Sequence, residues 1–268
     1  MDKEKKTRIW ELDFLRGFAI IMMVWDHLMY DFKSLPYWFS NYSTIENNIV
    51  EFLADFGTLY WNSALRAGGH YVFVFLFLVI SGISFNFSRS NLKRSLRFLT
   101  FAMGITGVTL LVEFLSGGFL RVTIIFGIIH LFALGTFLTW LCRKIWNNDL
   151  FILAMGLGII GLGIFFQFWD MHYYSSVTIG NIFPLILGIK GYGADYFGIA
   201  PFAGAIMVGS ALGKVLYPYK QSLLPKLDRA WSKPVEAVGR KAFVIFIVHQ
   251  VVLFLLVVGV MYLVGYRI

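Results

Sequence analysis

The chain has 268 residues, of which 58% are hydrophobic and 14% charged, and its mean hydropathy is +0.72. That apolar fraction excludes a soluble globular domain and points to a polytopic helical membrane protein, because runs of about 20 apolar residues match the bilayer thickness. The formal net charge of +8 would suggest nucleic acid in a soluble protein, but here the orientation bias of Lys and Arg accounts for it and no nucleic-acid partner is expected.

Residues 1–8, M-D-K-E-K-K-T-R, form a short basic tail. The first span is expected over 10–31. No small-residue cleavage site follows it, so it reads as part of the mature protein and not as a signal peptide. It carries Asp13, Arg16, Asp26 and His27. Ionisable side chains inside a membrane segment face a protein interior or a wet cavity and mark a site. Arg16 and His27 are eleven residues apart, which on a helix puts them within roughly 20° of one line and about 16 Å apart along the axis. Asp13, Arg16, Ile20, Met23 and His27 then form one stripe, with Asp26 pointing elsewhere.

Residues 33–69 read as a polar and aromatic connection on the outer side. Ser43-Thr-Ile-Glu46 has capping-box spacing, and Ile45, Ile49, Phe52, Leu53 and Phe56 share a helical face. This predicts an interfacial helix with Glu46, Glu51 and Asp55 on its polar side. Further spans are expected over 70–88, 96–116, 121–142, 149–168, 196–217 and 241–265. Gly180, Pro184 and Gly188 break the pattern between 170 and 192, which predicts a short or re-entrant piece. Residues 218–240 make a basic connection.

Seven spans place the amino terminus in the cytoplasm and the carboxyl terminus outside. On that topology 18 of the 23 Lys and Arg residues lie inside, all but Lys33, Arg66, Arg121, Lys190 and Arg267. A full span within 177–192 would be an eighth and would disturb this balance. The expected fold is therefore an all-α bundle of 7–8 transmembrane helices, one integral-membrane domain over 1–268, multi-pass in the cell membrane.

Among the residues that carry chemistry, His27 comes first. Imidazole is the usual general base near neutral pH, and a carboxylate such as Asp26 or Asp13 would orient it. Arg16, towards the inner end, suits a cytosolic phosphate, and Asp13 three residues before it forms its ion pair. His130 and His249 are each isolated in an apolar span, where a core histidine is the plainer reading. The cluster Arg89, Lys93, Arg94 and Arg97 is an orienting cytosolic turn or an anion site. Ser81-Gly82 permits close helix approach. The single cysteine, Cys142, excludes a disulfide framework, and neither histidine spacing nor an H-E-x-x-H sequence supports a metal.

Arg16 and His27, in the setting E-L-D-F-L-R-G-F-A-I-I-M-M-V-W-D-H, resemble the first-helix motif of transmembrane acyltransferases. F-L-V-I-S-G-I-S-F (77–85), F-G-I-I-H-L-F-A-L-G (126–135) and V-G-R-K-A-F-V-I-F-I-V-H-Q (238–250) are similar to later signatures of one branch. That branch comprises the prokaryotic relatives of heparan-α-glucosaminide N-acetyltransferase. The resemblance implies an enzyme that takes an acyl group, usually acetyl, from cytosolic acyl-CoA to a sugar, amino-sugar or glycan acceptor on the far side of the bilayer.

On this reading His27, Asp26 and Asp13 are the catalytic candidates. Arg16, Arg94, Arg97, His130 and His249 are candidates for binding the acetyl-CoA or other acyl-CoA, and Arg66, Glu113 and His70 for the acceptor. The lysosomal enzyme to which that branch is related has its proposed catalytic histidine in the lumenal region after the first helix, whereas residues 33–69 here contain none and His70 is the nearest. The alternative is a non-enzymatic proton- or ion-coupled transporter that uses the Asp13/Arg16/Asp26/His27 stripe. A homo-oligomer is compatible with either.

Overall fold

The computed structural model describes residues 8–118, 121–168, 173–193 and 195–268; the basic tail to residue 7 and part of the 170–192 connection lie outside the described residues. Among the described residues the chain forms ten α-helices and no named strand. They are α1 (Trp10–Trp38), α2 (Asn48–Trp61), α3 (Ala64–Ile83), α4 (Asn91–Leu115), α5 (Ile128–Ile145), α6 (Asp149–Phe168), α7 (Ile182–Leu187), α8 (Ile199–Leu216), α9 (Lys233–Arg240) and α10 (Ala242–Leu263). Six helical stretches among them are long and apolar enough to cross a membrane: α3 with its extension to Phe87, α4, α5, α6, α8 and α10. With 29 residues, or about 43 Å, α1 is long enough as well. Its ionisable residues keep it out of a purely apolar set. The chain is an all-α polytopic membrane protein.

Several boundaries differ from expectation for identifiable reasons. The first span is expected to end at residue 31, yet Asp31 and Ser34 are buried, Ser34 Oγ donates to Tyr30 O at 2.8 Å, and α1 runs on to Trp38. Ser43 does not start the following helix. It lies in a 3-10 turn, Tyr42–Thr44, and Asn47 caps α2 by accepting from the Ile49 and Val50 N–H groups at 3.1 and 3.2 Å. The face of α2 that packs within the protein is the one with small residues. Val50, Ala54 and Gly57 are buried, whereas Ile49 and Phe52 are 72% and 65% exposed. The small residues let α2 lie directly on α1, and the bulky ones are left for an apolar surround.

Residues 121–127 form a non-helical segment before α5 where a span was expected to begin. Three side chains of α4 hold it. Thr106 Oγ1 donates to Ile124 O at 2.7 Å, Thr109 Oγ1 accepts from Ile124 N at 3.1 Å, and Glu113 Oε2 accepts from Thr123 N at 3.0 Å. Non-helical backbone at membrane depth needs such partners. The 177–192 region holds only the six-residue α7, far too short to span.

The chain forms two compact units, one of residues up to Phe77 with Gln221–Ile268, the other Leu78–Lys220. In the first, α1 is the axis. The helix α9 crosses its beginning, α10 runs beside it from His27 onward, and α2 folds back antiparallel, with Val50 in one cluster with Leu35 and Phe39, and Tyr60 beside Asp26. The far end is closed by the chain terminus: Ser40 N donates to Arg267 O at 2.8 Å and Arg267 N to Asn41 Oδ1 at 2.7 Å. In the second unit α8 is central and rich in small buried residues. Gly82 does there what its size predicts, lying so close that an added Cβ would sit 2.1 Å from Ile206 O.

The α1–α9 crossing rests on a mutual glycine contact. A Cβ on Gly17 would fall 2.0 Å from Val235 O, and one on Gly239 would fall 1.8 Å from Asp13 O. Both obstacles are backbone, which has no rotamer to yield. Gly17→Ala is therefore expected to destabilise the protein by about 1–3 kcal/mol, the usual range for overpacking. Gly68→Ala, with nothing within 4 Å, is the control. Thermal unfolding in detergent reads the difference, and equal midpoints for the two variants would rule out a tight crossing.

Candidate active site

Asp26 and His27 are consecutive on α1, so their side chains diverge by about 100° and face different helices. Asp26 faces α3, whose first turn is set by Ser63: its Oγ accepts from Arg66 N at 3.1 Å. Arg66 and His70 follow at i and i+4, on one face. Arg66 grips Asp26 as a fork, Nε to Oδ1 and Nη2 to Oδ2, both at 3.0 Å. Tyr60 O–H donates to Oδ1 at 3.2 Å, and His70 Nδ1 lies 3.5 Å from Oδ2. Burial, then the charge of Asp26, pushes the Tyr60 phenol above its ordinary pKa, so it stays a donor.

This cluster is fixed from behind. The Arg66 guanidinium stacks 3.7 Å over the Trp61 ring, and Lys33 Nζ lies 5.0 Å from the same ring. The side chains of Asp26 and Arg66 are mostly buried, while that of His70 is about one-third exposed. A carboxylate facing Nδ1 favours the tautomer with its proton there and leaves Nε2 as a base. The arrangement can orient an imidazole and accept a proton.

His27 faces α10 instead. Its Nδ1 lies 2.9 Å from Met23 O, and its ring meets that of His249 edge to face, 4.7 Å between centroids. His249 Nδ1 lies 2.7 Å from Phe246 O. Both carbonyls only accept, so each Nδ1 carries the proton. One turn further along α1, Asp31 Oδ1 accepts from Gln250 Nε2 at 3.0 Å. The carboxylates expected to orient His27 do not reach it: Asp26 serves Arg66 and His70, and Asp13 pairs with Arg16 at 2.8 Å and Arg8 at 4.0 Å.

The remaining candidates lie in the second unit. Arg94 Nη2 donates to Ser81 Oγ at 2.9 Å, and Arg97 is exposed. His130 has both ring nitrogens engaged. Its Nδ1 accepts from Gly127 N at 3.3 Å and its Nε2 donates to Thr106 Oγ1 at 3.1 Å, which caps α5 and holds the non-helical segment. Glu113 binds the Thr123 N–H. No group of three or more metal-ligating side chains occurs among the described residues.

Asp13 with Arg16, Asp26 with Arg66 and His70, and His27 with His249 are thus brought together as three separate groups within the first unit. Tyr60 and Trp61 were missed because nothing in their sequence setting marks them. Asp31 had a signal, since it lies four residues after His27 on the same helical face.

A protein-family model described as Heparan-alpha-glucosaminide N-acetyltransferase, catalytic, matches residues 8–251. No curated protein and no solved structure matches the chain.

Proposed function

The chain belongs to the heparan-alpha-glucosaminide N-acetyltransferase catalytic family, a membrane acetyltransferase type, and on that premise we propose the chemistry of its site. It moves an acyl group, acetyl in the first instance, from acyl-CoA on the cytoplasmic side to a sugar or amino-sugar acceptor on the extracytoplasmic side of the cell membrane. The observation that carries the site assignment is the Asp26 carboxylate held between the Arg66 fork and His70 Nδ1.

His70 Nε2 takes the proton from the acceptor amine or hydroxyl as its nitrogen or oxygen attacks the thioester carbonyl. The C–S bond then breaks, and the leaving CoA sulfur takes up the proton from the imidazolium. Asp26 stabilises that imidazolium and fixes the ring, and Arg66 with Tyr60 fixes Asp26. Arg16, held by Asp13, is proposed to receive a phosphate of the acyl-CoA from the cytoplasmic side. The orientation rests on the inside bias of Lys and Arg.

A second reading, His27 as the base, is favoured by its contact with His249 and by an Nδ1 held at Met23 O, which leaves the other ring nitrogen as the basic one. The direct test is incubation of purified protein with acetyl-CoA and amino-sugar acceptors, following free CoA thiol and the mass of the acceptor. Acceptor-dependent thiol release with a gain of one acetyl group is expected. If acetyl-CoA neither binds nor is cleaved, acyl transfer is the wrong reading and the transporter reading of the α1 stripe replaces it.

A further inference from the structure

Residues 221–231, between α8 and α9, are built inside out. The polar groups of residues 222–224 face the protein. Glu11, only 6% exposed, accepts from Ser222 Oγ at 2.8 Å and Leu223 N at 2.6 Å, and Trp10 Nε1 donates to Leu224 O at 3.0 Å. The leucines face outward, with Leu223, Leu224 and Leu227 between 48% and 50% exposed, and Trp231, whose ring meets Trp10 and Phe14 edge to face on one side, is still 57% exposed on the other. Four large apolar groups within nine residues, with the backbone clamped on the opposite side, need an apolar surround to justify that arrangement.

The charge pattern narrows what the surround is. Lys226 and Arg229 stand exposed among the leucines and make no ion pair among the described residues, whereas Asp228, the one acid in the segment, is paired with Lys233. By chain connectivity the segment also joins two membrane-length helices, α8 and α10, so both its ends start from the same bilayer face. Leucine and tryptophan side chains interleaved with unpaired cations, at a membrane surface, match the boundary between acyl chains and anionic headgroups.

We propose that residues 221–231 dock into the headgroup layer of an anionic phospholipid membrane, with Leu223, Leu224, Leu227 and Trp231 below the phosphates and Lys226 and Arg229 on them. Because the same segment is clamped to Trp10 and Glu11, the docked lipid surface fixes the start of α1. This holds whether or not the acyl-transfer chemistry is as described above.

The test uses the full chain with Cys142→Ser and Leu227→Cys, labelled at the new thiol with an environment-sensitive fluorophore. It is reconstituted in nanodiscs of phosphatidylcholine alone or with phosphatidylglycerol added. The label is expected to be shielded from iodide and quenched by lipid carrying bromine in its upper acyl chain, more strongly with phosphatidylglycerol present. Lys226→Gln with Arg229→Gln should remove that increment, since two cations at an anionic surface shift such an equilibrium by roughly 30-fold.

A label as open to iodide in nanodiscs as a free fluorophore would overturn the proposal. Shielding that depends on protein concentration and not on lipid would assign the face to a second copy, and shielding restored by inorganic phosphate would assign a soluble anion; either outcome also overturns it. Elution as a single symmetric species shows that each variant is folded.

Discussion

Replacing His70 with alanine is expected to slow acyl transfer by about 100-fold or more, the usual contribution of a positioned general base. His27→Ala should change the rate by only a few-fold. The difference comes from what each ring is attached to. Asp26 orients His70 and can stabilise its imidazolium as the proton arrives, at 3.5 Å from Nδ1. His27 has a backbone carbonyl at Nδ1 and a second imidazole against its ring, and neither offsets a positive charge. Asp26→Asn should fall in the same direction as His70→Ala, because an amide can turn its N–H towards Nδ1 and select the wrong tautomer. Rates with acetyl-CoA at saturating acceptor separate the readings. If His27→Ala is inactive and His70→Ala is not, the base is His27 and the Asp26 cluster serves only to hold α1 on α3.

The spans were legible because each of the six apolar helices carries its own signal, a run of residues that only lipid or a core accepts. Where the sequence misled, a tertiary partner had overruled local polarity. The first span is expected to end at residue 31, but α1 runs on to Trp38 with Asp31 and Ser34 buried. The apolar stripe of α2 gives the helix but not its contact with α1, which is made by the small residues Ala54 and Gly57. Residues 121–127 are apolar enough for helix, and the hydrogen bonds from Thr106, Thr109 and Glu113 on another helix explain why they are not helical.

The site was legible in part for the same reason. Helical spacing aligns Arg16 with His27, and Asp13 with Arg16 is a local i, i+3 pair. The partner of Asp26 is forty residues away. It depends on α2 folding back along α1 and returning the chain to the level of Asp26, so that the first turn of α3 begins beside it. No periodicity in the sequence encodes that return. A charge inside a membrane helix says that a partner must exist, and the structure supplies Arg66 and His70.

That pairing carries the second large expected effect. Arg66→Met removes both charge-assisted hydrogen bonds to Asp26 and leaves a mostly buried carboxylate with Tyr60 and His70 alone. Breaking one side of a buried pair costs about 3–5 kcal/mol, a large share of the roughly 5–15 kcal/mol by which a domain is stable. Adding Asp26→Asn should recover most of the loss, because the stranded charge is gone and an amide still accepts from Tyr60. The two effects are then non-additive, as expected for side chains in contact. Activity should not recover with stability, since the double variant no longer offers a carboxylate to His70. Thermal unfolding and acyl-transfer rates on the same four proteins test both halves. Additive destabilisation would mean that Asp26 and Arg66 do not interact as described, and a double variant that regains activity would mean that the carboxylate does not act through His70.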